Sequence, residues 1–236
     1  MQNLTLLALD TSTEACSVAL FHRGEKTHIN ELAQRTHTKR ILPMIDEILV
    51  NSGLGLNQVD ALAFGRGPGS FTGVRVGAGI AQGLTFGADL PVIPISNLTA
   101  MAQAAFELHQ AENVVAAIDA RMNEVYFSQL VREKVRSDFA EFFQWREIIS
   151  EQVCSPELAI KQLQNDNAFR VGTGWAAYSQ FTEKNLTGSD IELPNALYML
   201  ELARVEFLQK HTISALEIEP IYLRNEVTWK KLPGRE

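Results

Sequence analysis

GRGPGSFTGVRVG, residues 65–77, joins a predicted β-strand to a predicted α-helix. More than half of the fifteen glycines of the chain lie between residues 65 and 87. The apolar run 59–64 in front of it has the length of a strand, and the first glycines predict a tight turn that β-branched residues cannot follow. Beyond the turn, apolar residues recur at three- and four-residue spacing, which predicts a helix capped by Ser70 or Thr72.

This predicted helix has a low intrinsic helix propensity, because glycines recur inside it. They fall four residues apart in two sets, Gly73 and Gly77, then Gly79, Gly83 and Gly87. Each interior glycine costs about 1 kcal/mol of helix stability relative to alanine. Small residues at this spacing let another backbone approach closely, and that neighbour is either another protein or a sheet of the same chain. Arg75 and the polar residues beside it exclude a membrane span.

The composition is that of a globular protein. A chain of 236 residues with 46% hydrophobic residues can bury a large core, and we expect two lobes. The net charge of −7 argues against nucleic-acid binding by the chain alone, because phosphate contacts need a basic patch. No signal peptide or long apolar run is visible, so we expect a cytoplasmic protein. Cys16 and Cys154 show no metal-ligand spacing and are predicted to be buried thiols.

The order of predicted elements indicates a βββαβα unit that occurs twice. Asp10 and Asp119 both end apolar runs and both precede a second strand, so the two copies align on these aspartates. We predict an α/β protein with a first lobe over 1–110, a smaller and degenerate second lobe over 111–214, and a tail, about 215–228, that crosses back to the first lobe.

Individual elements can be placed within these copies. We predict strands over 4–10, 16–22, 26–32, 59–64, 91–95, 114–119 and 125–131, and helices over 39–51, 97–110, 156–164 and 194–209. Thr36 or Thr38 is the predicted cap of the helix over 39–51, with Pro43 in its first turn. The aromatic-rich segment 138–150 receives no assignment.

The sequence gives little support for a metal site or for a catalytic nucleophile. No two of the five histidines have the spacing of HxxxH or HExxH, so we predict no metal site. Ser70 does not fit the G-x-S-x-G nucleophile motif and is a better helix cap.

A phosphate-binding turn is an open alternative, because the glycine turn precedes a helix N-terminus. It lacks the Walker GK[ST] and fits GxGxxG only loosely, so a turn that simply packs has equal weight. Residues 10–13 lie where actin-like ATPases and sugar kinases place an aspartate and a glycine to hold magnesium and phosphate, but the glycine is missing here. The candidate nucleotide-binding residues are Asp10, Ser12, Gly65, Gly67, Gly69 and Ser70.

Several motifs resemble those of the TsaB (YeaZ) family of bacterial tRNA threonylcarbamoyladenosine biosynthesis proteins. They are LALDTST at 7–13, His37 in RTHT, Leu42-Pro43, the GxGPGSFTGxRxG pattern at 65–77 and PxYLR at 220–224. The resemblance spans essentially the whole chain. It implies the two-lobed actin/sugar-kinase/Hsp70-like (ASKHA) fold and a cytoplasmic role in modifying adenosine 37 of tRNAs that read ANN codons.

The resemblance also implies partners. A catalytic paralogue, TsaD, binds the metal through an HxxxH placed after a strand like 91–95, where this chain has Asn97 and Met101. The chain is therefore expected to be a non-catalytic subunit without peptidase or independent ATPase activity. TsaE is the third component, tRNA binds only through the complex, and the chain self-associates through the same face when TsaD is absent. No cofactor of its own is expected, with ATP or ADP at the complex interface as an option.

The glycine-rich helix after Phe71 and the amphipathic helix over 39–51 would together form the partner-binding face. Its predicted residues are His37, Arg40, Ile41, Met44, Ile45, Ile48, Phe71, Val74, Arg75, Ala78, Gly79 and Gln82. The competing hypothesis is an autonomous nucleotide-dependent ATPase or kinase that uses Asp10 and the glycine turn.

Overall fold

The first of two β-sheets is formed by the N-terminal part of the chain. The structure, a computed structural model, describes residues 4–33, 36–136, 141–164 and 167–224. The strands of the first sheet are β1 (Thr5–Asp10), β2 (Ala15–His22), β3 (Glu25–Leu32), β4 (Ala61–Gly67) and β5 (Val92–Ser96). Their order is β3-β2-β1-β4-β5, with β2 antiparallel to both of its neighbours and with β1, β4 and β5 parallel.

The second sheet repeats this arrangement. Its strands are β6 (Asn113–Arg121), β7 (Glu124–Arg136), β8 (Glu141–Cys154) and β9 (Phe169–Val171), in the order β8-β7-β6-β9. β6 pairs antiparallel with β7 and parallel with β9, as β1 does with β2 and β4. The predicted duplication and the actin-like α/β fold are confirmed. In the described part of the chain the second sheet has no counterpart of β5, which is how the second copy is degenerate.

Seven α-helices lie within the described ranges. They are α1 (His37–Asn51), α2 (Phe71–Ala88), α3 (Asn97–His109), α4 (Pro156–Gln162), α5 (Gly174–Ala177), α6 (Ser179–Thr182) and α7 (Ala196–Leu208). The Oγ of Ser70 accepts from the Gly73 N–H at 3.1 Å, so the predicted cap of α2 is confirmed. None of these helices has the length and apolar character to cross a membrane.

Two local predictions differ from the structure, and one segment without a prediction is placed by it. α1 begins two residues before the predicted start, so Pro43 lies inside the helix and not in its first turn. Pro43 is exposed, and the carbonyl that loses its helical partner can be hydrated. Neither Thr36 nor Thr38 provides a side-chain cap, because Thr36 makes no such bond and Thr38 is already helical. The unassigned segment belongs to β8 from Glu141 onward, whereas 138–140 lie outside the described residues.

Each sheet is covered by a helix from the other half of the chain. α7 packs on the first sheet, where Met199 and Leu200 join a buried cluster with Leu6 and Ile93. α3 packs on the second sheet, where its buried side chains join Val114. The boundary at residue 110 stays a prediction, but α7, which it assigns to the second lobe, covers the first sheet. Periodicity could not reveal this, because α7 is apolar on more than one side.

The segment after α7 returns to the first lobe. Ile213 forms an antiparallel bridge with Val92 of β5, and the Ile221 N–H donates to the Arg66 carbonyl at 2.9 Å. The Gln82 side chain donates to the Ala215 carbonyl at 3.1 Å. The predicted continuation of the tail over 225–228 lies outside the described residues.

Candidate functional site

A cleft of about 600 Å³ lies between the two lobes. One wall comes from the β1–β2 turn and the start of α2, and the other comes from the β6–β7 hairpin and Thr173. Three predicted nucleotide-binding residues, Ser12, Gly69 and Ser70, line it, and so does Arg224 from the tail. The other three, Asp10, Gly65 and Gly67, are buried behind the wall.

Asp10 lies at the centre of a buried polar cluster. Its Oδ1 accepts from Asn97 Nδ2 at 2.8 Å, and its Oδ2 accepts from the Ser12 hydroxyl at 3.1 Å. Burial raises the pKa of Asp10 to about 6, and the hydrogen bonds from Asn97 and Ser12 oppose that rise. The carboxyl group therefore has its partners within the chain and no exposed surface.

Asn97 ties two strands together at this cluster. Its Oδ1 accepts from the Gly67 N–H at 2.8 Å, so the side chain links the end of β1 to the end of β4. Sequence reasoning considered Asn97 only as the position of a missing metal ligand. Its place directly after β5, at the N-terminus of α3, was the signal that could have put it beside Asp10.

The glycines of the turn allow close packing on the β1–β2 turn. A Cβ atom at Gly65 would overlap the Asp10 carboxylate, and one at Gly69 would overlap the Ser12 backbone. Gly67 has a φ of +105°, in the region that favours glycine. The same packing uses up backbone donors, because the Ser70 N–H donates to the Ser12 carbonyl at 2.7 Å.

The N–H groups of Gly67, Ser70 and Gly73 therefore all donate hydrogen bonds to acceptors within the chain. An anion at a helix N-terminus needs such donors to be free.

Asp119 is the counterpart of Asp10 in the second lobe, and it is also held inside the chain. Its carboxylate accepts from the Tyr178 hydroxyl at 2.6 Å and from the Arg121 N–H at 2.8 Å, and it pairs with the Arg121 guanidinium at 3.0 Å. Burial, then the hydrogen bond and charge of Asp119, raise the pKa of Tyr178 to about 12. Asp10 at the end of β1 and Asp119 near the end of β6 are therefore both engaged by partners within the chain.

The described residues contain no group of three or more His, Cys, Asp or Glu side chains arranged to hold a metal ion.

Half of the predicted partner-binding face is buried in the core of the first lobe. α1 and α2 turn their apolar stripes toward their own sheet, where no partner can reach them. The buried residues are Ile41, Met44, Ile45, Ile48, Val74 and Ala78. These six residues are corrected from contact residues to core residues.

The outer face of α2 is open. Phe71 and Phe86 are 67% and 71% exposed, and Arg75, Gly79 and Gln82 are exposed between them. A Cβ at Gly79, Gly83 or Gly87 would have no atom within 4 Å, whereas one at Gly73 would overlap the Thr11 carbonyl. The glycines of α2 thus have two roles, since one set packs on β1 and the other lies open. Sequence reasoning did not include Phe86 among the contact residues.

Two further predicted contact residues lie at α1. Arg40 forms a bidentate ion pair with Glu31 of β3. His37 lines a depression beside Thr72 and Gly73, and its Nε2 is buried with no hydrogen-bond partner.

Tyr222 in the tail extends this open surface. The Arg75 guanidinium carbon lies 3.2 Å from the centroid of the Phe71 ring and 5.0 Å from that of Tyr222. The PxYLR motif was noticed in the sequence, but nothing there placed it against the first turn of α2.

Comparison with known proteins gives consistent results. A sequence model described as TsaD, tRNA N6-adenosine threonylcarbamoyltransferase, matches residues 26–230. The tRNA threonylcarbamoyladenosine biosynthesis protein TsaB of Haemophilus influenzae is 95% identical, covering 100% of both chains. TsaB of Escherichia coli is 46% identical over 99% of this chain and 100% of its own.

A solved structure agrees as well. A Pseudomonas aeruginosa crystal structure, described as an uncharacterized protein with similarity to peptidase YEAZ, is 40% identical, with a TM-score of 0.82. The alignment covers 94% of this chain and 100% of that one.

Proposed function

The chain belongs to the TsaB family, and from this we propose that it acts in tRNA threonylcarbamoyladenosine biosynthesis as a non-catalytic subunit that binds the catalytic paralogue TsaD. The modification made by the complex is threonylcarbamoylation of adenosine 37 in tRNAs that read ANN codons. The protein works in the cytoplasm, with TsaE as the third component, and contacts tRNA only through the complex.

The observation that carries the proposal is the open glycine face of α2. A Cβ atom added at Gly79, Gly83 or Gly87 would meet no other part of the chain within 4 Å, although each glycine lowers the stability of the helix. Exposed Phe71 and Phe86 flank them and supply apolar area. A helix of TsaD, or of a second copy of the chain when TsaD is absent, can approach such a face closely.

The interior of the cleft supports a non-catalytic role. Catalysis of phosphoryl transfer needs carboxylates that hold magnesium and backbone donors that hold phosphate. Here Asp10 and Asp119 accept hydrogen bonds from the chain's own side chains, and the glycine turn donates to its own neighbours. We therefore propose no cofactor bound by this chain alone, with ATP or ADP confined to the complex interface.

The decisive experiment is co-elution with TsaD in size-exclusion chromatography. Gly79→Leu places a bulky side chain on the open face, and Arg75→Glu reverses a charge there, so both should abolish co-elution. The matched control is Ala177→Leu, which adds the same side chain to an exposed helix position in the second lobe. Circular dichroism should show all three folded, and unchanged co-elution of Gly79→Leu and Arg75→Glu would refute the proposal.

A second candidate function, an autonomous ATPase or kinase, is favoured by the size of the cleft and by Ser12, Gly69 and Ser70 in its lining. ATP turnover by the isolated chain distinguishes the two functions. The non-catalytic proposal predicts no turnover above background, for the wild type and for Asp10→Ala alike. Turnover that disappears in Asp10→Ala would establish the enzyme instead.

A further inference from the structure

The segment that follows α7 is attached along the first lobe. It begins at the Ile213–Val92 bridge, and Ile218 is buried in the first-lobe core. Farther along, the Ile221 N–H donates to the Arg66 carbonyl, and Tyr222 lies against Arg75. These contacts position the segment up to Tyr222 on one lobe only.

Arg224, two residues on, reaches the other lobe. Its Nε donates to Glu124 Oε2 at 3.1 Å, and Nη2 donates to the same carboxylate and to the Ala120 carbonyl at 3.1 Å. Both acceptors lie at the β6–β7 hairpin of the second lobe. Although Arg224 lines the cleft, its donors are used for this contact, so it joins the lobes rather than binding an anion.

A second polar contact crosses between the lobes beside the first. The guanidinium of Arg66, whose carbonyl holds Ile221, pairs with Glu151 of β8 at 3.1 Å. The Ser96 hydroxyl donates to the same carboxylate, whose side chain is only 7% exposed. The tail contact and the strand contact therefore meet at Arg66 on the first lobe. On the second lobe the tail contact reaches β6 and β7, and the strand contact reaches β8.

We propose that residues 218–224 form a clasp that holds the two lobes at one separation, with Arg224 as the residue of this segment that contacts the second lobe. Two-lobed proteins with a hinge between the lobes can close and open around the cleft, and a tail fixed to both walls opposes that motion. The exposed Phe71–Arg75–Tyr222 contact places this clasp directly beside the open face of α2. The clasp belongs to the chain alone and does not depend on the proposed partner.

Electron spin resonance between two labelled sites can test the clasp in the full-length chain. Cysteines at exposed Asp46 of α1 and Lys184 of the second lobe carry the labels, while native Cys16 and Cys154 are buried. The distance distribution should be narrow in the otherwise wild-type chain. Arg224→Ala should broaden it and add longer distances, because one inter-lobe contact is lost.

Arg204→Ala is the matched control. Arg204 also binds a glutamate with two nitrogens, but its partner Glu201 lies on the same helix. Its removal should leave the distribution unchanged. A distribution in Arg224→Ala that matches the wild type, or equal broadening in Arg204→Ala, overturns the proposal.

A second variant covers the case in which Arg224→Ala does not fold. Glu124→Gln keeps the size of the side chain but removes the charge that Arg224 contacts, and it should also broaden the distribution. An unchanged distribution in Glu124→Gln would equally overturn the clasp.

Discussion

The carboxyl group of Asp10 shows how a residue of an ATPase-like motif can become part of a packed cluster. The sequence predicted a nucleotide-binding role for this residue, yet Asn97 and Ser12 donate hydrogen bonds to its carboxylate, which has no exposed surface. A buried carboxylate with few donors holds its proton more tightly than one in water, which is why its pKa rises to about 6.

This raised pKa predicts a pH-dependent stability. Because the folded-state pKa of Asp10 lies above the unfolded value of 3.8, its contribution to stability is present below about pH 4 and is lost as the pH rises to about 6. Asp10→Asn removes that loss. The variant's free energy of unfolding minus that of the wild type should rise by about 2 kcal/mol between pH 4 and pH 7.

Urea denaturation of both proteins at several pH values measures this difference. The contributions of the other titrating groups cancel, because they are the same in the variant and the wild type. Asp46→Asn, at an exposed carboxylate of α1, is the control and should show no comparable rise. A difference between Asp10→Asn and the wild type that stays constant with pH would contradict the prediction.

At the scale of elements, α2 is a helix with two glycine faces that serve different purposes. Gly73 packs against the Thr11 carbonyl and lets α2 approach the end of β1. Gly83 lies in open space and contributes nothing to packing within the chain. The same residue type at the same spacing thus has opposite energetic consequences on the two faces.

Alanine at these two positions should change stability in opposite directions. Gly83→Ala should raise the free energy of unfolding by about 1 kcal/mol, because alanine is the better helix former and meets no neighbour. Gly73→Ala should lower it by about 1–3 kcal/mol, because its Cβ overlaps a backbone atom that cannot move freely. Chemical denaturation of both variants provides the comparison, and a loss of stability in Gly83→Ala would show that this face is packed after all.

At the scale of the whole molecule, the lobes are not independent. α7 comes from the second half of the chain, yet Met199 and Leu200 cover the face of the first sheet that carries Leu6 and Ile93. A first lobe cut at residue 110 would expose this apolar face to water.

A fragment of residues 1–110 should therefore not fold on its own. Proton NMR of the fragment should show the poor dispersion of an unfolded or aggregating chain, whereas the full chain shows a folded spectrum. A well-dispersed spectrum of the fragment would mean that α7 is dispensable.

In the intact protein, Met199→Ala should lower the free energy of unfolding by about 2–5 kcal/mol, as expected for a large-to-small change in a core. It should do so in one cooperative transition, because α7 bridges the two sheets. The control Leu208→Ala, at a half-exposed position of the same helix, should cost far less. Equal losses in the two variants would contradict the packing of α7 on the first sheet.

From the sequence alone follow the order of strands and helices in the first lobe, the duplication about Asp10 and Asp119, and the turn that only glycine fits. These features depend on the spacing of apolar residues and on local backbone freedom, and both are determined by residues that are close together in the sequence. The motifs over 65–77 and 220–224 were also sufficient to indicate the family.

Only the tertiary structure decided which face of α1 and α2 is free, which sheet α7 covers, what surrounds Asp10 and where Arg224 ends. Apolar periodicity identifies an apolar stripe on a helix but not what packs against it, so buried residues such as Ile41 and Val74 were predicted to be contact residues. The bonds Asn97–Asp10 and Arg224–Glu124 join residues 87 and 100 positions apart. Contacts at that separation exist only once both sheets have formed and packed.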